Sequence, residues 1–90
     1  YEDAMPEISR FFGIVIQLFY DDHNPPHFHV TYAGYKAVFT IETLEMIEGK
    51  LPKKQALQVV QWAYLNRKDL LEDWDAVKHR RLPKKIKPLK

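Results

Sequence analysis

The chain has 90 residues, of which 46% are hydrophobic and 29% are charged, and it contains no cysteine. These values are typical of one globular domain, and they exclude a disordered chain, a disulfide scaffold and thiol chemistry. There is no run of about 18 apolar residues and no signal-peptide pattern, so we expect a cytoplasmic protein that does not contact a membrane. Residues 1–4 are interpreted as a remnant that precedes a natural start at Met5.

The net charge of +2 conceals an uneven distribution along the chain. All twelve acidic residues lie between Glu2 and Asp75, whereas seven of the fourteen Lys and Arg residues lie between Lys78 and Lys90. The net charge is therefore about −5 in the body and +7 in the tail, which predicts a separate partner for the tail. RNA, DNA and an acidic protein are the candidate partners, and a solvated tail is the alternative. The candidate contact residues are Arg80, Arg81, Lys84, Lys85 and Lys87.

The first predicted strand runs from Phe11 to Tyr20, because this stretch is aromatic and β-branched and has no polar face compatible with a helix. Gly13 inside it indicates a bulge or a close backbone contact. Residues 21–26 form a turn, since adjacent aspartates bond their own backbone and Pro25-Pro26 fixes two φ angles. The turn that leads into the next strand is therefore expected to be stiff.

Residues 27–32 alternate in polarity, which predicts a half-buried second strand. Ala33-Gly34 marks a hairpin turn, residues 35–41 form a third strand, and residues 42–46 are a candidate short fourth strand. Together these strands form an antiparallel β-meander. The alternation separates the side chains of the second strand into Phe28, Val30 and Tyr32 on one face and His27, His29 and Thr31 on the other.

Two helices are predicted after the strands. Pro52 opens the first helix, and Asn66-Arg67 kinks or breaks it. Residues 68–81 form the second helical stretch, which Leu82-Pro83 ends. In the first helix, apolar residues recur at the spacing of a helix packed on a sheet, at Ala56, Val59, Val60 and Ala63.

The predicted fold is one α+β domain over residues 5–82. Its antiparallel β-meander has three or four strands and is followed by two helices packed on one face. Residues 83–90 form a basic tail that is interrupted by proline, and we expect it to lie outside the core.

Three of the four histidines fall within seven positions, in the segment Asp22-His23-Asn24-Pro25-Pro26-His27-Phe28-His29. Side chains alternate along a strand, so His27 and His29 leave the backbone on the same face. A stiff turn that holds imidazoles near carboxylates predicts a preformed site, although a tight hairpin without a ligand has the same pattern.

The histidine cluster has three interpretations. It is a divalent-metal site, for example for Zn²⁺ or Mn²⁺, or a catalytic site, or a structural element in which imidazoles cap turn carbonyls. In the catalytic interpretation one histidine is a general base and another a general acid, as in metal-independent RNA cleavage. The candidate metal ligands are His23, His27, His29 and Asp22, and the candidate catalytic residues are His27 and His29.

Residues 5–14 and the D-H-x-P-P-H-F-H motif of residues 22–29 resemble a family of small bacterial proteins that is classed as a domain of unknown function. Leu44-Glu45, residues 49–52 and Trp62 are similar as well, so the resemblance extends over the chain from Met5. Its members are often encoded beside another small protein, and the pair has been proposed as toxin and antitoxin. The resemblance implies a protein partner and action on RNA or on the promoter of the pair.

The leading hypothesis is therefore a toxin–antitoxin-type component that acts with a co-encoded small protein. The alternative is a small metal-dependent or histidine-based hydrolase or ribonuclease centred on His23, His27 and His29. A plain interaction module is a third hypothesis. An uncovered sheet face would also favour a homodimer.

Overall fold

The computed structural model describes residues 5–20 and 23–90, so residues 1–4, Asp21 and Asp22 lie outside the described residues. All neighbouring strands are antiparallel in a five-stranded sheet of order β1-β2-β3-β4-β5. The predicted α+β class, with a meander followed by two helices, is confirmed. The elements are β1 (Glu7–Phe11), β2 (Ile14–Gln17), β3 (His27–Tyr32), β4 (Tyr35–Thr40), β5 (Met46–Gly49), α1 (Lys53–Leu65) and α2 (Arg67–Lys78).

The expected first strand is in fact a hairpin, so the sheet has five strands and not the predicted three or four. Phe11 pairs with Ile14, and the two residues between them have positive φ, 51° at Phe12 and 79° at Gly13. Positive φ at both central positions is the geometry that matches the twist of a two-residue hairpin. The prediction of one continuous strand is wrong here because Phe12 is not a residue that signals this turn.

The candidate strand at residues 42–46 is wrong as well, because residues 42–45 lie in the connection between β4 and β5 and the last strand is Met46–Gly49.

The second tight hairpin is confirmed at the predicted place. Tyr32 pairs with Tyr35, and φ is 46° at Ala33 and 87° at Gly34. No atom lies within 4 Å of the position that a side chain at Gly34 would occupy. This turn therefore depends on backbone conformation alone and not on available space.

The hydrophobic core lies between one face of the sheet and the two helices. Trp62 of α1 is completely buried, and its ring centroid lies 5.4 Å from that of Phe11 and 6.0 Å from that of Phe28. Phe28 in turn stacks on Phe39 of the next strand. Trp62 therefore packs α1 against the sheet, and removing so large a buried side chain costs about 3–5 kcal/mol in typical cores.

The segment after α2 packs back onto the sheet. Ile86 is buried, and its backbone N–H donates a 2.7 Å hydrogen bond to the carbonyl of Ile8 in the edge strand β1. Trp62 Nε1 donates a 2.7 Å hydrogen bond to the carbonyl of Lys87. The expectation that residues 83–90 lie outside the core is wrong for Ile86 and for Pro83, which are buried, and Leu89 packs partly against the core.

The edge strand β5 ends at a position where only glycine fits. Gly49 has a φ of +85°, and a Cβ atom there would lie 2.1 Å from the carbonyl oxygen of Lys36. The same oxygen accepts a 2.9 Å hydrogen bond from the N–H of Lys50. Gly49 therefore allows the close approach of β5 to β4. In the described part of the chain, no helix has the length and apolar character needed to cross a membrane.

Candidate functional site

The face of the sheet opposite the core carries a groove with a volume of about 500 Å³. The described residues that line it come from β2 to β5 and from the segments between β2 and β3, and none comes from α1 or α2. We call it the histidine groove and define it by six of its lining residues: Gln17, His23, His27, His29, Lys36 and Glu48.

The strand register explains why these residues meet. His29 pairs with Gln17 of β2 on one side and with Val38 of β4 on the other, and Val38 pairs with Glu48 of β5. Directly paired residues place their side chains on the same face of a sheet. These paired residues form one row of side chains across β2, β3, β4 and β5, and His29 lies near the middle of that row.

An aromatic ring packs against each of the two histidines of β3. The ring of His29 stacks on Phe19 with centroids 3.9 Å apart and an interplanar angle of 13°. The ring of His27 lies 5.2 Å from that of Trp74 of α2. The two imidazole centroids are 5.2 Å apart with an interplanar angle of 67°, so the rings meet edge to face. The predicted pair is thus brought together.

The turn before β3 determines which nitrogen of His27 carries a proton. His27 Nδ1 lies 2.7 Å from the carbonyl oxygen of Pro25. A carbonyl oxygen only accepts hydrogen bonds, so Nδ1 must be the donor, and in the neutral ring the lone pair then lies on Nε2. The structural interpretation, in which an imidazole caps a turn carbonyl, therefore describes His27 Nδ1.

The predicted metal site is only partly within the described chain. His23 is exposed at the groove, whereas Asp22 lies outside the described residues. Among residues 5–20 and 23–90, no group of three His, Cys, Asp or Glu side chains is arranged to hold a metal ion. The metal interpretation thus stays a prediction that includes Asp22.

The cations of the tail are largely engaged with neighbouring groups. The Lys84 ammonium lies 2.9 Å from Asp69 and 2.8 Å from Glu72, and these contacts raise its pKa. The Arg81 guanidinium lies 2.9 Å from Asp75. Exposed ion pairs of this kind are weak, because solvent screens the two charges.

The other candidate tail residues have different neighbours. Lys85 Nζ donates to the carbonyl of Glu7, and the Arg80 guanidinium carbon lies 6.0 Å from the ring centroid of Tyr20. The backbone carbonyl of Lys87 bonds to Trp62. A role of these five residues in contacting nucleic acid or a partner stays a prediction.

A buried carboxylate that sequence reasoning missed lies where the tail meets α2. Asp73 is 2% exposed, and its Oδ1 accepts a 3.0 Å hydrogen bond from the backbone N–H of Lys84. Its Oδ2 is buried without a hydrogen-bond partner in the described structure. Burial raises the pKa of Asp73 to about 6, although the Lys84 N–H opposes this rise. Nothing in the acidic pattern of α2 distinguishes Asp73 from its exposed neighbours, because the docking of the tail determines its burial.

A family model described as Domain of unknown function (DUF4160) matches residues 13–75. The chain belongs to this family. The match includes β2 to β5 and α1, and therefore all six residues that define the histidine groove, whereas β1 and the tail lie outside it. Comparisons with curated proteins and with solved structures gave no match.

Proposed function

We propose that the protein is one component of a toxin–antitoxin-type pair and that it binds a co-encoded small protein along β5 and the histidine groove. The observation that carries the proposal is the two-sided character of the sheet. One face is packed against both helices, and the other is an open groove whose described lining includes no helical residue. A concave surface of this kind at a sheet edge is a common binding site for an extended segment of another protein.

The two edges of the sheet support this proposal because they differ. The backbone of β1 is bonded by the tail through Ile86, so this edge is covered. At the opposite edge all four residues of β5 are exposed, including the apolar Met46 and Ile47. An exposed edge strand presents unpaired backbone groups to an incoming strand.

The test measures the affinity of the chain for the co-encoded small protein by titration calorimetry. We expect Ile47→Asp to weaken binding by about tenfold or more, the size of effect typical of a central interface residue. Leu57→Asp is the matched control, because Leu57 is 61% exposed on α1, compared with 51% for Ile47, and lies outside the groove. Equal affinities for the parent and both variants, or no binding by the parent, would refute the proposal.

A histidine-based or metal-dependent hydrolase is the second candidate function. The observation that favours it is the pair of imidazoles 5.2 Å apart within a groove. Metal analysis of the purified parent and of the His27→Ala/His29→Ala double variant separates the two mechanisms. Stoichiometric metal that is lost in the variant supports a metal-dependent enzyme. A parent that binds no added Zn²⁺ or Mn²⁺ refutes the metal-dependent mechanism and leaves metal-free catalysis or partner binding.

A further inference from the structure

We infer that residues 83–90, called the tail segment below, are exchanged between two copies of the chain, so that the tail segment of each copy lies in the tail cleft of the other. The tail cleft is the surface on which this segment lies in the structure, between the edge strand β1 and the two helices. The exchange leaves β5 and the histidine groove uncovered, because β1 and β5 are opposite edges of the sheet. It is therefore compatible with the proposed binding of a partner and does not rest on it.

The backbone of the tail segment is bound by groups that belong to the body of the domain. The N–H of Ile86 donates a 2.7 Å hydrogen bond to the carbonyl of Ile8 in β1, and the carbonyl of Lys87 accepts one of 2.7 Å from Trp62 Nε1 in α1. Pro83 and Ile86 are buried in the cleft. None of these contacts depends on how the segment is connected to α2. The same segment of a second copy can therefore form all of them, as in the exchange of identical elements between protomers.

The tail segment and the tail cleft are complementary in charge. The segment has four lysines and no acidic residue, whereas α2 has four acidic residues. The ammonium of Lys84 lies 2.9 Å from Asp69 and 2.8 Å from Glu72, and its backbone N–H donates a 3.0 Å hydrogen bond to the buried carboxylate of Asp73. The cleft therefore favours a basic, extended segment. A second copy of the chain supplies such a segment at the same concentration as the cleft.

The junction between α2 and the tail segment, residues 79–82, is strained. Arg80 has a φ of 59°, and the N–H groups of Arg80 and Arg81 donate to the carbonyls of Val77 and Ala76 respectively. This pattern is the Schellman motif, in which glycine usually occupies the left-handed position. The left-handed region is costly for a residue with a Cβ atom. The chain therefore turns back along α2 at a conformational cost at Arg80.

Exchange of the tail segments relieves this strain. When the junction is extended, Arg80 leaves the left-handed region, and the contacts of the tail segment are regained in the other copy. Leu82 of the junction is 80% exposed, so it does not anchor the closed form. In an exchanged pair the two junctions pass each other at the two-fold axis, which gives each Leu82 an apolar neighbour. The docked contacts are the same in both forms, so at a given protein concentration the junction decides the balance between monomer and dimer.

The first experiment measures the mass of the whole chain by sedimentation equilibrium over a wide range of protein concentration. We expect a monomer–dimer equilibrium for the parent. Ile86→Asp should be a monomer at every concentration, because a carboxylate is too costly in the buried position that Ile86 occupies. Ile47→Asp is the control at the other edge of the sheet, and it should dimerise like the parent.

Two substitutions of Arg80 test the junction. Arg80→Gly removes the cost of the left-handed region from the closed monomer, so the dissociation constant of the dimer should rise by about tenfold or more. Arg80→Ala removes the guanidinium but retains the Cβ atom, so it should dimerise like the parent. Equal dissociation constants for the glycine and alanine variants would show that strain at the junction does not drive the exchange.

Crosslinking detects the exchange directly. The chain has no cysteine, so two single-cysteine variants can be joined at chosen positions. Glu7→Cys marks the cleft and Lys85→Cys marks the tail segment, since Lys85 Nζ lies 2.8 Å from the carbonyl oxygen of Glu7. When the two variants are mixed, a short bismaleimide should join them into a heterodimer, which mass spectrometry identifies. Addition of Ile86→Asp to the Lys85→Cys chain should abolish this product.

The outcomes distinguish the exchange from other dimers. A parent that is monomeric at every concentration and gives no heterodimer would overturn the inference. A dimer that persists in Ile86→Asp, or that is lost in Ile47→Asp, would place the second copy at another surface and overturn it as well. The two Arg80 variants retain the residues that dock the tail segment, so the comparison between them decides the inference if Ile86→Asp does not fold.

Discussion

Substitution of Gly49 by alanine is expected to destabilise the sheet at the edge where we propose that a partner binds. Gly49 has a φ of +85°, in the left-handed region that costs a residue with a Cβ atom about 1–2 kcal/mol. The added Cβ would also lie 2.1 Å from the carbonyl oxygen of Lys36 and 2.8 Å from the Cα of Ala37. Both contacts are with backbone, so the strand β5 must move to relieve them.

The expected magnitude follows from these two costs. Displacement of β5 removes the hydrogen bond from Lys50 N–H to the Lys36 carbonyl, which typically contributes about 0.5–1.5 kcal/mol. We therefore expect Gly49→Ala to lower the free energy of unfolding by about 1.5–3.5 kcal/mol. For a domain of this size, 1 kcal/mol corresponds to a shift in Tm of about 4–8 °C.

Gly34→Ala is a matched control for the backbone conformation. Gly34 has a φ of +87°, close to that of Gly49, but no atom lies within 4 Å of its hypothetical Cβ. This variant should therefore lose only the conformational part, about 1–2 kcal/mol. Denaturation in urea, followed by the fluorescence of Trp62 and Trp74, measures both free energies. Equal losses in the two variants would refute the steric argument at Gly49.

Two further predictions concern stability. In Asp73→Asn, the carboxyl whose pKa is raised to about 6 no longer titrates. In the parent, the neutral carboxyl of Asp73 favours the folded state below its ordinary pKa of 3.8, and this contribution is lost as the pH rises through about 6. The free energy of unfolding of the parent should therefore fall by an amount on the order of 2–3 kcal/mol over this interval, and that of the variant should not. Urea denaturation at several pH values measures the difference, and parallel curves for parent and variant would contradict the assignment. Ala33→Asn should raise the free energy of unfolding by about 0.5–1 kcal/mol, because asparagine tolerates the φ of 46° better than alanine. A lower Tm for this variant would argue against the hairpin geometry at Ala33-Gly34.

The contrast between the two hairpins shows how local chemistry limits prediction from sequence. Ala33-Gly34 was identified because the glycine stands between two alternating segments. Phe12-Gly13 adopts a turn of the same kind, yet the aromatic residues around it are typical of a continuous strand. Phe11 packs on Trp62, whereas Phe12 is exposed at the turn. The sequence does not distinguish these two adjacent phenylalanines, because their surroundings come from the helix α1.

In the candidate site, too, some features follow from the sequence and others only from the tertiary structure. The period of a strand predicts that His27 and His29 share a face, and the turn residues predict a stiff entry to β3. Lys36 and Gln17 could not be assigned to the same face until the register of three strands was known, since a shift of one residue reverses every side chain. Phe19 and Trp74 belong to other segments of the chain than His27 and His29, yet their rings lie against the two imidazoles.

The sequence by itself determined the α+β class, an antiparallel meander followed by two helices, the break at Asn66 and the shared strand face of His27 and His29. These features depend on local periodicity and on residues that restrict backbone angles, which act over a few positions of the chain. Only the tertiary structure decided that Ile86 and the carboxylate of Asp73 are buried, and that the backbone of Gly49 lies close to that of β4. The physical reason is that burial and close contact depend on which distant segment packs there, and a local pattern carries no information on that segment.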